Sequence, residues 1–249
     1  RAAWYPQLMR LLGGFGVLSV LWGVTLARAA PPEPAPQQYM TQGWEAYHAG
    51  DFATAVSHWQ AAAQLYERAH QAPAYSLALT SLAQAYEALG HYDEAIQSLH
   101  TAQRFAEQTE DRPQRTKILA SLGQLSLVTG APEQAEQDLR EALRMAQTLG
   151  DDGLQAVILN NLGNLVMARL TLQMADFDTA LEFYQQSASL AQHAQHDAMA
   201  ARALIHTVMV ALRAYAQGYI PPVLQPPALR PQLAQALATL QRTAPSHTK

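Results

Sequence analysis

The sequence predicts an all-α chain: a right-handed α-solenoid of about four helical hairpins plus a partial fifth. Three observations predict it. Gly50, Gly90 and Gly130 stand 40 residues apart, as do Ala55, Ala95 and Ala135, then Ala62, Ala102 and Ala142, then Pro73, Pro113 and Gly153. Self-similarity at such a period marks stacked supersecondary units. Ala, Gln and Leu dominate, Gly and Pro gather at the unit boundaries, and strand-like alternation is missing. The chain also carries no Gly-rich phosphate loop, nucleophile elbow or HExxH helix, which fits a stack that works through its surface.

The first element is an address. Leu11 to Leu26 is an apolar run preceded by Arg10 and followed by Ala27-Arg28-Ala29-Ala30. A basic start, an apolar centre and small residues before a cut predict a signal peptide over residues 1–29, cleaved after Ala29. The sequence opens on Arg1, and Met9-Arg10 fits the start of a compact signal. The alternative is an uncleaved membrane anchor, for which the run is short against a span of about 20 residues. The signal predicts an exported protein, periplasmic or extracellular, meeting the membrane only transiently. The anchor predicts repeats held outside the cytoplasm at the inner membrane. Residues 30–38 (APPEPAPQQ) read as an extended Pro-rich spacer.

The array follows over residues 39–217, with units at about 39–72, 73–112, 113–152 and 153–197 and the start of a fifth at 198–217. In the first unit, helix A is expected over about 38–49 and helix B over 52–71; the second pairs 74–89 with 92–110, and the third pairs 114–129 with 132–149. The three glycines fit the position just past helix A, where φ is positive and a Cβ is costly. Pro73 and Pro113 suit the first turn of the next helix, and Asp111 and Asp151 are placed to cap such starts. Small residues at Gly43, Ala55 and Ala62, at Ala83, Ala95 and Ala102, and at Gly123, Ala135 and Ala142 let paired helices approach. Large ones at Phe52, Trp59, Tyr92 and Leu99 fill the space between hairpins. Trp59, Tyr66, Phe105 and Tyr184 are expected in the core.

The fourth unit keeps Gly163, Phe177, Ala180 and Tyr184, but carries about five extra residues near Ala168 to Leu172 and has Ala175 where glycine stood. This predicts a helix A longer by over a turn and a different connection to helix B. Residues 218–231 are dense in proline and predict a loop. A short helix over 232–241 and a tail complete residues 232–249. No polar capping helix is evident, which predicts that the natural protein continues past Lys249.

The stretch LAQAYEALGHYDEAIQSLHTA (Leu82 to Ala102) resembles the tetratricopeptide repeat closely, and GWEAYHAGDFATAVSHWQAA (Gly43 to Ala62) nearly as well. The third unit departs by Pro132 where an aromatic is usual, and the period exceeds the family's usual value of about 34. The resemblance covers Tyr39 to Gln217. HWQAAAQLYE (His58 to Glu67), YQQSASLAQHAQHDAMAARALIH (Tyr184 to His206) and the terminal TLQRTAPSHTK are similar to exported repeat regions preceding a caspase-like CHAT domain in cyanobacteria and other bacteria. That likeness implies the recognition arm of a larger protease-type protein whose catalytic domain lies outside this chain.

A formal net charge of −4 provides no basic field for nucleic acid. The lack of cysteine excludes disulfides, thiolate metal sites and a cysteine nucleophile in this chain. No catalytic constellation and no cofactor are expected. His193 and His196 with Asp197 have no evident fourth partner for a zinc site and read as a solvated helix end. The family resemblance implies a partner that is a protein or peptide, bound in a concave groove lined by helices A, with asparagines holding the ligand backbone. By register the groove residues are Trp44 and His48, then Thr80, Gln84 and Glu87, then Lys117, Ser121 and Gln124, then Asn160, Asn161 and Asn164. Such a lining suits amide hydrogen bonds to an extended peptide, with an aromatic contact at Trp44. The competing reading is the plain polar face of amphipathic helices. Three functions follow: an exported scaffold, the arm of a CHAT protein, or a membrane-tethered assembly factor.

Overall fold

The computed structural model describes residues 35–169 and 172–221. The signal or anchor, the start of the spacer, the stretch from 222 onward and the helix expected at 232–241 lie outside the described residues. Nine α-helices occur among those described: α1 (Pro36–His48), α2 (Phe52–Arg68), α3 (Ala72–Ala88), α4 (Tyr92–Gln108), α5 (Arg112–Val128), α6 (Pro132–Leu149), α7 (Asp152–Met167), α8 (Met174–His193) and α9 (Asp197–Ala216). They pack as four hairpins, α1–α2 to α7–α8, with α9 laid against α8. Helices α3 and α5, α5 and α7, and α7 and α9 also touch, so the odd-numbered helices form one continuous face of an α-solenoid.

Local chemistry sets the boundaries. Asp51, Asp111 and Asp151 accept hydrogen bonds from the amides of Thr54, Gln114 and Leu154 at 3.1, 3.0 and 2.9 Å, capping α2, α5 and α7. Gly50, Gly90 and Gly130 take φ of 80, 77 and 84°. Beyond them the amides of Asp51, His91 and Ala131 reach back to the carbonyls of Ala46, Tyr86 and Ser126 at 2.9, 2.8 and 2.7 Å, closing α1, α3 and α5 with a left-handed turn.

The buried stripe of Trp59, Leu99, Leu139 and Tyr184 runs through the array, flanked by fully buried Ala55, Ala62, Ala95, Ala102, Ala135 and Ala142. A Cβ built on Gly43 would lie 2.3 Å from Nε1 of Trp59, and one on Gly163 would lie 2.6 Å from Cε1 of Tyr184. The small residues of helix A thus make room for the large residue of helix B. Tyr66 is buried and Phe105 packs on the same core.

Three expectations need correction. Helix α1 begins at Pro36, inside the stretch read as spacer, because proline is at home in a first helical turn. Helices α2 and α4 end at Arg68 and Gln108, short of 71 and 110, because His70 and Glu110 each turn left-handed at φ 54°. The fourth unit's helix A is not lengthened: α7 has 16 residues against 17 in α3 and α5. The extra residues lie in the α7–α8 connection, and α8 is extended to 20 residues. Without a glycine to reverse the chain at once, a new start is built at Asp176. Its buried carboxylate accepts from the Gln173 amide at 2.7 Å and from Arg169 Nη1 at 2.6 Å.

Candidate functional site

The face of the odd-numbered helices gathers most of the residues singled out by register. Trp44 is 37% exposed at its first end, stacked on His48 with ring centroids 5.8 Å apart and edge-on to buried Trp59 at 5.0 Å. His48 and Lys117 are exposed, and Gln84, Glu87, Ser121, Gln124 and Asn164 are half-buried.

Thr80, Asn160 and Asn161 are buried, contrary to an open groove position. Each lies where helix A of one unit meets helix A of the next. Thr80 Oγ1 donates to the Ser76 carbonyl at 2.9 Å and accepts from Gln114 Nε2 at 2.8 Å. Asn161 Nδ2 donates to Gln124 Oε1 at 3.1 Å, and Gln124 Nε2 donates to Glu87 Oε1 at 2.5 Å. These three residues form a hydrogen-bonded ladder across α3, α5 and α7. Asn160 Oδ1 lies 2.8 Å from His206 Nδ1, an arrangement that puts the proton on Nδ1. Asn164 Oδ1 accepts from Tyr184 Oη at 2.8 Å, which turns its Nδ2 away from that bond.

Burial raises the Glu87 carboxyl above the ordinary glutamate value, against the Gln124 hydrogen bond and the positive charge of Arg202, which both pull it down. Burial lowers His206, and Arg202 lowers it further, so the imidazole is neutral at neutral pH. Burial also raises Tyr47, with Glu87 adding to the effect. Arg202 thus acts on groups of both α1 and α3, although it lies on α9.

Register reasoning missed the α9 contribution. Arg202, His206, Met209 and Arg213 share one side of that helix, and the offset of 45 residues between Asn161 and His206 and between Asn164 and Met209 was legible once the fourth unit's insertion is counted. The exposed His193 pairs with Asp152 at 2.5 Å, and the His196 ring abuts Gly153, so both histidines belong to the α7–α8 joint. Among the described residues no group of three His, Cys, Asp or Glu is placed to hold a metal. No helix among them is long and apolar enough to cross a membrane.

The tetratricopeptide repeat family matches residues 46–108. No curated protein matches the chain in sequence. Among solved structures, the fold is similar to a Rap protein complexed with Competence and Sporulation Factor, at TM-score 0.68 and 14% identity over 83% of this chain. The chain spans 54% of that protein's length. It is also similar to BtubC from P. vanneervenii, at TM-score 0.62 and 19% identity, covering 86% of this chain and 82% of that one. A signal-transduction ATPase with a tetratricopeptide repeat sensor from Pyrococcus horikoshii matches at TM-score 0.61 and 15% identity, over 88% of this chain and 32% of its own. Over the described residues the fold is an all-α solenoid of paired helices, and residues 46–108 of it match the tetratricopeptide repeat family.

Proposed function

We propose that this chain binds a protein or peptide along the face of its odd-numbered helices. The observation that carries the reading is the ladder from Glu87 through Gln124 to Asn161. It ties successive helices A together and leaves Trp44, His48, Gln84, Lys117, Ser121, Asn164 and Arg202 on a preorganised surface. A surface fixed before binding loses little conformational freedom on binding. The Rap protein of similar fold is itself in complex with Competence and Sporulation Factor, which supports a ligand-binding role for such an array.

Affinity capture with the chain from Ala30 onward tests this, set against a Trp44→Ala, Lys117→Glu, Asn164→Ala variant shown by circular dichroism to be folded. Loss of the specifically captured partners in the variant is expected. Identical capture by both proteins sinks the reading.

The segment at 1–29 supports export, and a mature chain starting at Ala30 in the non-cytoplasmic fraction is the expected result. An intact 1–29 recovered with membranes would instead support the tethered assembly factor. The stretches similar to repeat regions of CHAT proteins support a second reading, in which the chain is the recognition arm of a longer protein. Sequencing the gene beyond Lys249 decides it, because a stop codon there removes that reading.

A further inference from the structure

At the far end of the same face, α7, α8 and α9 enclose a pocket of about 310 Å³. Its apolar lining includes Met167, Tyr184, Met209 and Val210. The volume is at the small end of ligand pockets, about 300–1,000 Å³, and suits one bulky side chain better than a cofactor. Two methionines give it an adaptable wall, and Met209 lies at its lip, 60% exposed. Tyr184 presents its ring with its hydroxyl already bonded to Asn164, and His206, which also lines the pocket, has its Nδ1 held by Asn160, so neither of these two atoms must be stripped of water to fill the site.

The lip is polar in one sense only. Asn164 and Arg213 border the opening, and Arg213 is exposed and ion-paired with no carboxylate among the described residues. Arg202 lies on the same side of α9, three turns before Arg213. The pocket is continuous with the ladder through Asn164, one turn beyond Asn161 on α7. An extended ligand on this face therefore arrives at an apolar hole rimmed by one arginine and an amide.

We propose that this pocket is the anchor site for an extended peptide segment, taking a Leu, Met or Phe side chain from a residue whose neighbour carries a carboxylate that pairs with Arg213. The proposal rests on the groove reading above and names its ligand class. Asn164 Nδ2 is the donor toward the ligand backbone beside the anchor.

Fluorescence anisotropy with short labelled peptides in a Ser/Gln background tests it. The peptides carry Leu, Phe, Ala or Lys at one position, with Glu or Lys beside it. Leu-Glu and Phe-Glu peptides are expected to bind about tenfold or more tighter than Ala-Glu, from burial of the side chain. Changing the neighbour from Glu to Lys is expected to weaken binding by about threefold, as befits an exposed pair. Met209→Glu removes the preference for Leu and Phe, and Arg213→Glu reverses the preference for Glu over Lys. Both substitutions fall on exposed positions, and an unchanged melting temperature shows that each variant is folded. Equal binding of Leu, Ala and Lys peptides, or a Leu preference that survives Met209→Glu, overturns the pocket assignment. Absence of binding by every peptide also overturns it. The groove reading is judged separately, by whether capture of partners depends on Trp44 and Lys117, which lie outside the pocket.

Discussion

At the residue scale, the left-handed turns show how a repeat tolerates local cost. His70, Glu110 and Gln195 sit at φ 54, 54 and 58° just past α2, α4 and α8, where Gly150 sits past α6. A non-glycine residue in that region costs about 1–2 kcal/mol relative to its preferred conformations. Glu110→Gly is therefore expected to raise stability by about 0.5–1 kcal/mol, once the extra freedom of glycine in the unfolded chain is subtracted. Urea melts of the variant and parent check it, and a lower midpoint for the variant refutes the strain. The buried glycines test packing instead. Gly43→Ala gains about 1 kcal/mol of helix propensity, but its Cβ meets the fixed ring of Trp59 at 2.3 Å, so a net loss of about 1 kcal/mol or more is expected. Gly123→Ala meets Cγ of fully buried Leu139 at 2.7 Å and its backbone nitrogen at 3.2 Å, so a net loss is expected there too. The glycine turns, the aspartate caps and the small-against-large pairing were legible because each needs a particular residue type. The turns at His70 and Glu110 were not, since histidine marks positive φ only weakly and glutamate not at all. Nor was the burial of Asn160 and Asn161, because an amide suits a ligand and a neighbouring helix equally well.

At the element scale, the fourth hairpin depends on one carboxylate. Asp176 holds both the start of α8 and Arg169 across the connection. Asp176→Ala is expected to cost about 1–2 kcal/mol, as for loss of a helix cap together with a buried acceptor. Arg169→Ala should cost under about 1 kcal/mol, because the arginine side chain is 56% exposed. Equal losses in thermal melts would contradict this division. The next joint, α7 to α9, carries an acid-sensitive element. The folded chain holds His206 below its ordinary value by burial, so the unfolded chain takes up a proton first as pH falls. The stability contributed at this site is complete above the ordinary histidine value and is lost as pH drops through and below it. Amide exchange in α9 should accelerate over that range in the parent and accelerate less in His206→Gln. The insertion itself was legible as a count of extra residues. Whether it lengthened the helix or the connection depended on the Asp176 clamp, which only the fold brings together.

At the scale of the whole molecule, the array is a chain of nearest-neighbour interfaces, and their inequality predicts where it parts. The α4–α5 and α6–α7 junctions are thinner than α2–α3 and α8–α9. The two core clusters meet on α5, between those junctions: Ile118, Leu122 and Leu125 of α5 belong to the cluster running back to α2, while Ala120 belongs to the one running on to α7. Polar bonds span what the apolar core leaves thin, from Gln114 to Thr80 and from Gln124 to both Glu87 and Asn161. Gln124→Leu removes the centre of that ladder and leaves two buried or half-buried polar groups without their partner, at about 1–3 kcal/mol. Because the loss falls on an interface, it should also uncouple the two halves. Trp44 and Trp59 both lie in the first hairpin, so in a chain beginning at Ala30 tryptophan fluorescence follows that end alone while circular dichroism follows all helices. The two signals are expected to share one urea midpoint in the parent chain and to separate in Gln124→Leu. Coincident midpoints in the variant would mean that apolar packing through α5 carries the coupling unaided, and the ladder would then serve the face and not the stack.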